Sequence, residues 1–183
     1  MFIKKSLLLL SVLHLTLFLV AQQACTPVQG GTDVEKRLEE LGITLTTPSK
    51  PLANYVHAVR SGNLVFLAGH GPRDEAGKLI TGKVGRDLDI KAGQHAARRT
   101  AISLLSSLKA EIGDLNKVKR IVKVLGMVNA TEDFTQHPKV INGCSDLLVE
   151  VFGEKGKHAR AAVGMASLPM DIAVEIEMIV EIE

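Results

Sequence analysis

Apolar and polar residues alternate through the last segment of the chain. From residue 174 onward every second residue is apolar, and glutamates fill most of the positions between them. A period of two is that of a β-strand with one face buried and the other face in solvent. The segment therefore predicts a sheet that is covered on one side. The apolar positions are Val174, Ile176, Met178, Val180 and Ile182.

Two helices are predicted that can cover such a sheet. The first spans residues 89–112, has its alanines and leucines on one helical face, and ends at Gly113. The second spans residues 137–152 and is closed by Gly153. A sheet with helices packed on one face indicates an α+β fold.

The first strands are predicted to form a hairpin. Residues 55–60 and 63–68 flank Ser61 and Gly62, which are typical of a two-residue turn. The glycines and proline of residues 69–72 are expected to break the second strand.

Three further strands complete the pattern. Residues 118–129 are rich in β-branched side chains and predict a central strand. Residues 159–167 and 173–183 predict a final pair of strands, joined through Leu168 and Pro169. The order hairpin, helix, strand, helix, hairpin describes a single domain.

The N-terminus has the pattern of a secretory signal. Two lysines are followed by residues 7–21, which carry no charge. That run is shorter than the roughly 20 apolar residues that a membrane-spanning helix needs. We therefore divide the chain into a signal at residues 1–25, a tether with a short helix capped by Asp33 at residues 26–53, and a folded domain at residues 54–183.

Two routes of signal processing remain open. Cys25 follows a small residue just past the apolar run, as in lipoprotein signals, although Gln22 stands where those signals usually carry an aliphatic residue. Cleavage near Ala21 or Ala24 by an ordinary signal peptidase is the alternative. Both routes predict export, either to the periplasm or to a membrane through a lipid on Cys25.

Removal of the signal leaves a chain without net charge. Lys4 and Lys5 are lost with it, so 20 of the 22 basic residues remain beside 20 acidic ones. A neutral chain has no general attraction to nucleic acid, and the full sequence has only five Phe, one Tyr and no Trp, which gives few rings for stacking bases. We therefore expect no nucleic-acid partner.

Cysteine and histidine usage argues against metal and disulfide frameworks. Cys144 is the single cysteine after the signal, so no intramolecular disulfide can form. The histidines beyond the signal contain no His-x-x-x-His pair of the kind that binds zinc.

The closing segment resembles a known family. His158-Ala-Arg160, Leu168-Pro169 and Val174-Glu-Ile-Glu177 have the spacing found at the end of the RidA/YjgF family of imine deaminases. The phrase Val-Ile-Asn-Gly-x-Ser-Asp-Leu at residues 140–147 is similar to a branch labelled endoribonuclease L-PSP-like or chorismate-mutase-like. The resemblance covers residues 54–183.

The resemblance implies a fold, an assembly and a reaction. The fold is the chorismate-mutase-like one, and the assembly is a homotrimer with three sites in the clefts between subunits. The reaction is the hydrolysis of a 2-imino or enamino acid to a 2-keto acid and ammonia, without a metal or an organic cofactor.

Arg160 and Glu175 are the implied catalytic residues. A guanidinium grips a carboxylate through two parallel hydrogen bonds, and the alanines around Arg160 leave room for a ligand. A carboxylate such as that of Glu175 can orient the attacking water or accept its proton. The plainer alternatives are a surface arginine paired with a strand glutamate, and a glutamate that belongs only to the polar face of its strand.

The candidate substrate-binding residues are Tyr55, Gly69, His70 and Asn142. Tyr55 could instead be an amphipathic residue at the start of a strand, and Asn142 could instead lie at the trimer interface or be merely polar on its helix. A backbone N–H can approach a ligand closely at Gly69 because glycine has no side chain. His70 replaces the family's usual glutamine and could carry a proton near neutral pH, or it could be an ordinary loop histidine.

Two further positions depart from the family pattern and keep other functions open. Ala68 stands in place of a hydroxyl residue, and Ala162 in place of a cysteine. A non-catalytic module that binds small carboxylates in the same cleft is therefore an alternative to the deaminase. Ribonuclease activity is a third hypothesis, which the neutral charge and the few aromatic residues oppose.

Overall fold

The computed structural model describes residues 33–51 and 53–183. The proposed signal with Cys25 and residues 26–32 of the tether lie outside the described residues. Three helices and five strands form an α+β fold, as the sequence predicts. They are α1 (Val34–Glu40), β1 (Ala58–Ser61), β2 (Leu64–His70), α2 (Ile90–Ile112), β3 (Val118–Asn129), α3 (His137–Phe152), β4 (Ala159–Met165) and β5 (Val174–Ile182).

The five strands form one sheet in the order β1-β2-β5-β3-β4. Neighbouring strands are antiparallel except β3 and β4, which are parallel and are connected by α3. The predicted pairing of the last two strands is wrong, because β3 lies between them and bonds to both. The connection at residues 166–173 is long enough to cross the end of β3, so no tight turn forces its flanking strands to pair.

The first hairpin is present with two corrections. Ser61 pairs with Leu64, so the turn consists of Gly62 and Asn63, one residue later than expected, and Gly62 has a φ of 62°. β2 also continues to His70 instead of breaking at Gly69. A β-bulge after Leu67 lets the strand continue, since two residues there lie opposite one residue of β5.

Both long helices pack on one face of the sheet, as predicted. The five alternating apolar residues of β5 are all buried beneath them. Asp89 caps α2 by accepting a hydrogen bond from the Ala92 amide, and Gly113 and Gly153 end the two helices. α1 packs against the same core through Val34 and Leu38, so packed residues extend upstream of residue 54.

Cys144 lies in this core on α3. Its side chain is fully buried, and burial raises the pKa of its thiol to about 12. The thiol therefore stays protonated at neutral pH and behaves as a small apolar group. Within the described part of the chain, no helix is both long and apolar enough to cross a membrane.

Candidate active site

Arg160 lies near the start of β4, the edge strand of the sheet, with its side chain on the helix-covered face. The crossover through α3 brings that helix against β4. Nη1 of Arg160 donates two hydrogen bonds to α3, one to Oδ1 of Asn142 and one to Oγ of Ser145, each 2.9 Å long. The residue as a whole remains exposed. The guanidinium is therefore held at the surface by two side chains.

His158 extends this hydrogen-bonded arrangement toward the interior. Oγ of Ser145 lies 3.1 Å from Nε2 of His158, and Nδ1 of His158 lies 2.6 Å from the carbonyl oxygen of Gly156. A carbonyl only accepts, so Nδ1 carries the proton and Nε2 accepts from the Ser145 hydroxyl. Burial and then the charge of Arg160 lower the pKa of His158, which favours this neutral form.

Gly69 and Glu175 meet on the adjacent strands β2 and β5. A side chain at position 69 would collide with Glu175, because its Cβ would lie 2.9 Å from the carboxyl carbon Cδ. The bulge in β2 places Gly69 there. The carboxyl group of Glu175 therefore rests directly against the backbone of Gly69, which only a glycine permits.

Glu175 is half-buried, and its pKa is raised. Burial is the larger cause, because desolvation disfavours the carboxylate, and the negative charge of Glu177 adds to it. A raised pKa makes the carboxylate a stronger base than an ordinary exposed glutamate.

His70 points into the protein and not toward the surface. Its Nδ1 lies 2.7 Å from the carbonyl oxygen of Ala68, and its Nε2 lies 2.7 Å from Oγ of Ser107 on α2. Both ring nitrogens are thus engaged, and burial lowers the pKa of the imidazole. His70 therefore links the bulge to α2 through its hydrogen bonds. From the sequence we expected it to contact substrate.

Tyr55 lies beside this region, just before β1, and is 52% exposed. Its ring meets that of His57 edge to face, with centroids 6.2 Å apart, and His57 lies 5.3 Å from His70. Of the residues that the sequence singles out, Tyr55, Gly69, His70 and Glu175 therefore form one group, and Arg160 and Asn142 form another.

The two groups are far apart within the chain. Arg160 is level with Val124 on β3, whereas Glu175 is level with Met127, three residues further along. With strand dimensions of about 3.3 Å per residue and about 4.8 Å between strands, Arg160 and Glu175 are roughly 14 Å apart at Cα. They also point to opposite faces of the sheet, since Arg160 contacts α3 and Glu175 lies on the side without helices.

The side of the sheet without helices is unusually apolar for a surface. It includes Val59 and Phe66, which are more than 40% exposed, together with half-buried side chains of the central strands. A cavity of about 330 Å³ opens on it. Residues on this open face include Val59, Phe66, Ala68, Lys123, Leu125, Met127, Val163, Glu175, Glu177 and Ile179.

Sequence reasoning gave Ser145 and His158 no role, although both stand inside the phrases that carry the family resemblance. Their spacing from Asn142 and Arg160 indicates which side chains share a face. Ser145 is three residues after Asn142, which places both on one face of a helix. His158 immediately precedes β4 and is two residues before Arg160, a spacing that puts two side chains on one side of an extended chain.

A metal site would require several ligands in one place. Within residues 33–51 and 53–183, no three His, Cys, Asp or Glu side chains lie together as the ligands of a metal ion would.

Residues 35–182 match the family model described as "YjgF/chorismate_mutase-like, putative endoribonuclease". Protein TCP17 of Trypanosoma cruzi is 43% identical over 81% of this chain and 94% of its own length. The 2-iminobutanoate/2-iminopropanoate deaminase of Salmonella typhimurium is 32% identical over 74% of this chain and 94% of its own. The crystal structure of Atu1372 from Agrobacterium tumefaciens superposes with a TM-score of 0.76, at 47% identity over 82% of this chain and 94% of that one.

Proposed function

Since this chain belongs to the YjgF/chorismate mutase-like family, which is also called RidA, we propose that it hydrolyses 2-imino acids and their enamine tautomers. The observation that carries the proposal is the exposed guanidinium of Arg160, held in place by Asn142 and Ser145. A relative at 32% identity is named a 2-iminobutanoate/2-iminopropanoate deaminase, which supports the proposed substrate class.

Arg160 binds the carboxylate that every 2-imino acid carries beside its reactive carbon. Two parallel hydrogen bonds from the guanidinium fix the orientation of the substrate and compensate its charge. Along β4 the next side chain on the same face is that of Ala162, which is small, so the substrate has space on that side of the guanidinium. The C=N carbon is thereby held at a defined distance from the strand.

Glu175 activates the water that attacks this carbon. Its carboxylate accepts a proton as water adds to the C=N bond, and the amino group then leaves as ammonia. The net reaction converts one imine and one water into one keto acid and one ammonia. The raised pKa of Glu175 suits a group that must accept a proton and then release it.

A complete site needs two subunits. Arg160 and Glu175 of one chain are roughly 14 Å apart on opposite sheet faces, too far to act on one small molecule. A homotrimer that covers the apolar open face would bring Tyr55, Gly69 and Glu175 of one subunit toward Arg160 and Asn142 of the next. His70 then acts through the bulge that it stabilises, and not by contact with substrate.

The direct test is an imine assay. An amino-acid oxidase generates 2-iminobutanoate or 2-iminopropanoate in place, and release of the 2-oxo acid is recorded with and without the protein. We expect acceleration by wild type and by Arg98→Lys, which alters an arginine on α2 that pairs with Glu150. Arg160→Lys should raise KM at least tenfold, because an ammonium cannot form the paired bonds. No acceleration by wild type with any imino acid would refute the proposal.

A carboxylate-binding module is the second candidate. Ala68 and Ala162 stand where the resemblance leads us to expect a hydroxyl and a thiol. The cleft therefore keeps the carboxylate-binding Arg160 but has a less polar lining. Calorimetry separates the two functions. Binding of a 2-oxo acid that is lost in Arg160→Ala, without turnover by wild type, would favour the binding module.

We also propose that residues 1–25 direct export, by either of the two processing routes. Fractionation of cells that express the full chain, beside a version starting at residue 26, tests this. The full chain should leave the cytoplasm and the shortened chain should stay. Metabolic labelling with palmitate, lost in Cys25→Ser, would identify the lipoprotein route.

A further inference from the structure

We propose that Ser145 and His158 are positioning residues that hold the guanidinium of Arg160 in the orientation needed to bind a carboxylate side-on. The inference deepens the proposed function, because it concerns how the same site recognises its substrate. It rests on the hydrogen-bonded series that leads from Gly156 through His158 and Ser145 to Arg160.

The two contacts on Nη1 decide which edge of the guanidinium meets a ligand. Nη1 carries two hydrogens, and Asn142 and Ser145 accept one each at 2.9 Å. The remaining edge consists of Nε–H and one N–H of Nη2, which point in parallel. That edge matches the two oxygens of a carboxylate, so the pair of acceptors selects the side-on mode of binding.

His158 decides which way the hydroxyl of Ser145 points. Since Nδ1 of His158 donates to Gly156, Nε2 can only accept, and the Ser145 proton must lie toward it. The lone pairs of Oγ then face Nη1 of Arg160. Without an acceptor at position 158 the Ser145 hydroxyl could rotate. Its hydrogen would then face the N–H of Nη1, and Oγ would no longer present a lone pair to it.

A double-mutant cycle on ligand binding tests the series. Calorimetry with 2-oxobutanoate, a product of the proposed reaction, gives Kd for each variant. Ser145→Ala should weaken binding about threefold to tenfold, the usual effect of losing one hydrogen bond. His158→Leu should do the same, and the double variant should be no weaker than Ser145→Ala, because both changes break one series.

Two variants serve as controls. His158→Gln keeps an uncharged acceptor on a chain of similar reach and should bind nearly as wild type does. Ser103→Ala removes a half-buried helix hydroxyl that donates to the Arg99 carbonyl and should leave Kd unchanged. The proposal would be overturned if the fold-changes in Kd of Ser145→Ala and His158→Leu multiply in the double variant. It would also be overturned if neither single variant changes Kd.

A measurement without ligand separates this inference from the proposed function. Nitrogen NMR of His158 at neutral pH should show the tautomer protonated on Nδ1. The guanidinium of Arg160 is the charged group that depresses the pKa of this imidazole beyond the effect of burial, so Arg160→Met should raise it. The control Arg98→Met should not.

The binding and NMR measurements test different claims. If wild type binds no 2-oxo acid, the proposed function fails, while the NMR result still decides whether Arg160, Ser145 and His158 form one series. Protonation on Nε2, or an unchanged pKa in Arg160→Met, would overturn the inference even in an active enzyme.

Discussion

Glu175 and Glu177 lie two residues apart on the open face of β5, and their mutual repulsion helps to keep the pKa of Glu175 high. If ionised Glu175 is the base, activity falls as the pH drops through its pKa. Because that pKa is raised, the fall begins at a higher pH than for an ordinary glutamate.

Removal of the neighbouring charge should shift this dependence. In Glu177→Gln the repulsion is absent, so the pKa of Glu175 falls and the acidic limb of kcat/KM moves to lower pH. Burial remains, so the shift is partial. A pH profile beside the control Glu183→Gln checks the prediction, and a limb that stays in place or moves upward would contradict it.

The sequence predicts some contacts of the site better than others. The residue types of Arg160, Asn142 and Glu175 stand in phrases that indicate their chemistry. Ser145 and His158 stand in the same phrases, but the phrases do not indicate that the two side chains meet, because their hydrogen bond joins α3 to the residue before β4 through the tertiary fold. The inward orientation of His70 depends in the same way on Ser107 of α2, 37 residues away.

At the scale of elements, the position of α3 sets that of Asn142 and Ser145. The backbones of α2 and α3 lie close together where Gly143 faces the backbone of Gln94. A Cβ at position 143 would lie 2.8 Å from the carbonyl carbon of Gln94. Backbone cannot move aside as a flexible side chain can, so this glycine fixes the distance between the helices.

Gly143→Ala should therefore destabilise the protein, and Gly93→Ala provides a matched control. Both changes add a methyl group to a helical glycine and gain about 1 kcal/mol of helix propensity. At Gly93 the nearest atoms to the new methyl group are side-chain methyls of Val140 and Val84, at 3.1 to 3.3 Å. We expect Gly143→Ala to lower the free energy of unfolding in urea by about 1–2 kcal/mol after this gain, and Gly93→Ala to change it little. Equal effects would contradict the close-packing account.

Element positions follow from local signals, whereas strand neighbours do not. Capping residues such as Asp89 and Gly113 place the ends of α2 to within one residue. The alternation in β5 predicts its buried side chains, because a period of two is a property of one strand. It says nothing about which strands lie alongside, so the insertion of β5 between β2 and β3 could not be derived from it.

At the scale of the whole molecule, the open face of the sheet should be buried between subunits. Phe66→Glu places a charge in its apolar surface and should convert the proposed trimer to monomers with loss of activity, since burial of an unpaired charge is costly. Val149→Glu, on the outer surface of α3, is the control and should remain trimeric. Light scattering after size exclusion measures both. A monomeric wild type, or a trimeric Phe66→Glu variant, would contradict the assembly.

The central claim is that each site combines Arg160 of one subunit with Glu175 of another. Arg160→Ala and Glu175→Gln should each be inactive alone. When equal amounts are unfolded, mixed and refolded together, three-quarters of the trimers contain both variants, and each of these has one intact cleft in a cyclic arrangement. The account predicts about a quarter of wild-type deaminase activity in the mixture. A mixture as inactive as its components, with mixed trimers confirmed by mass spectrometry, would contradict it.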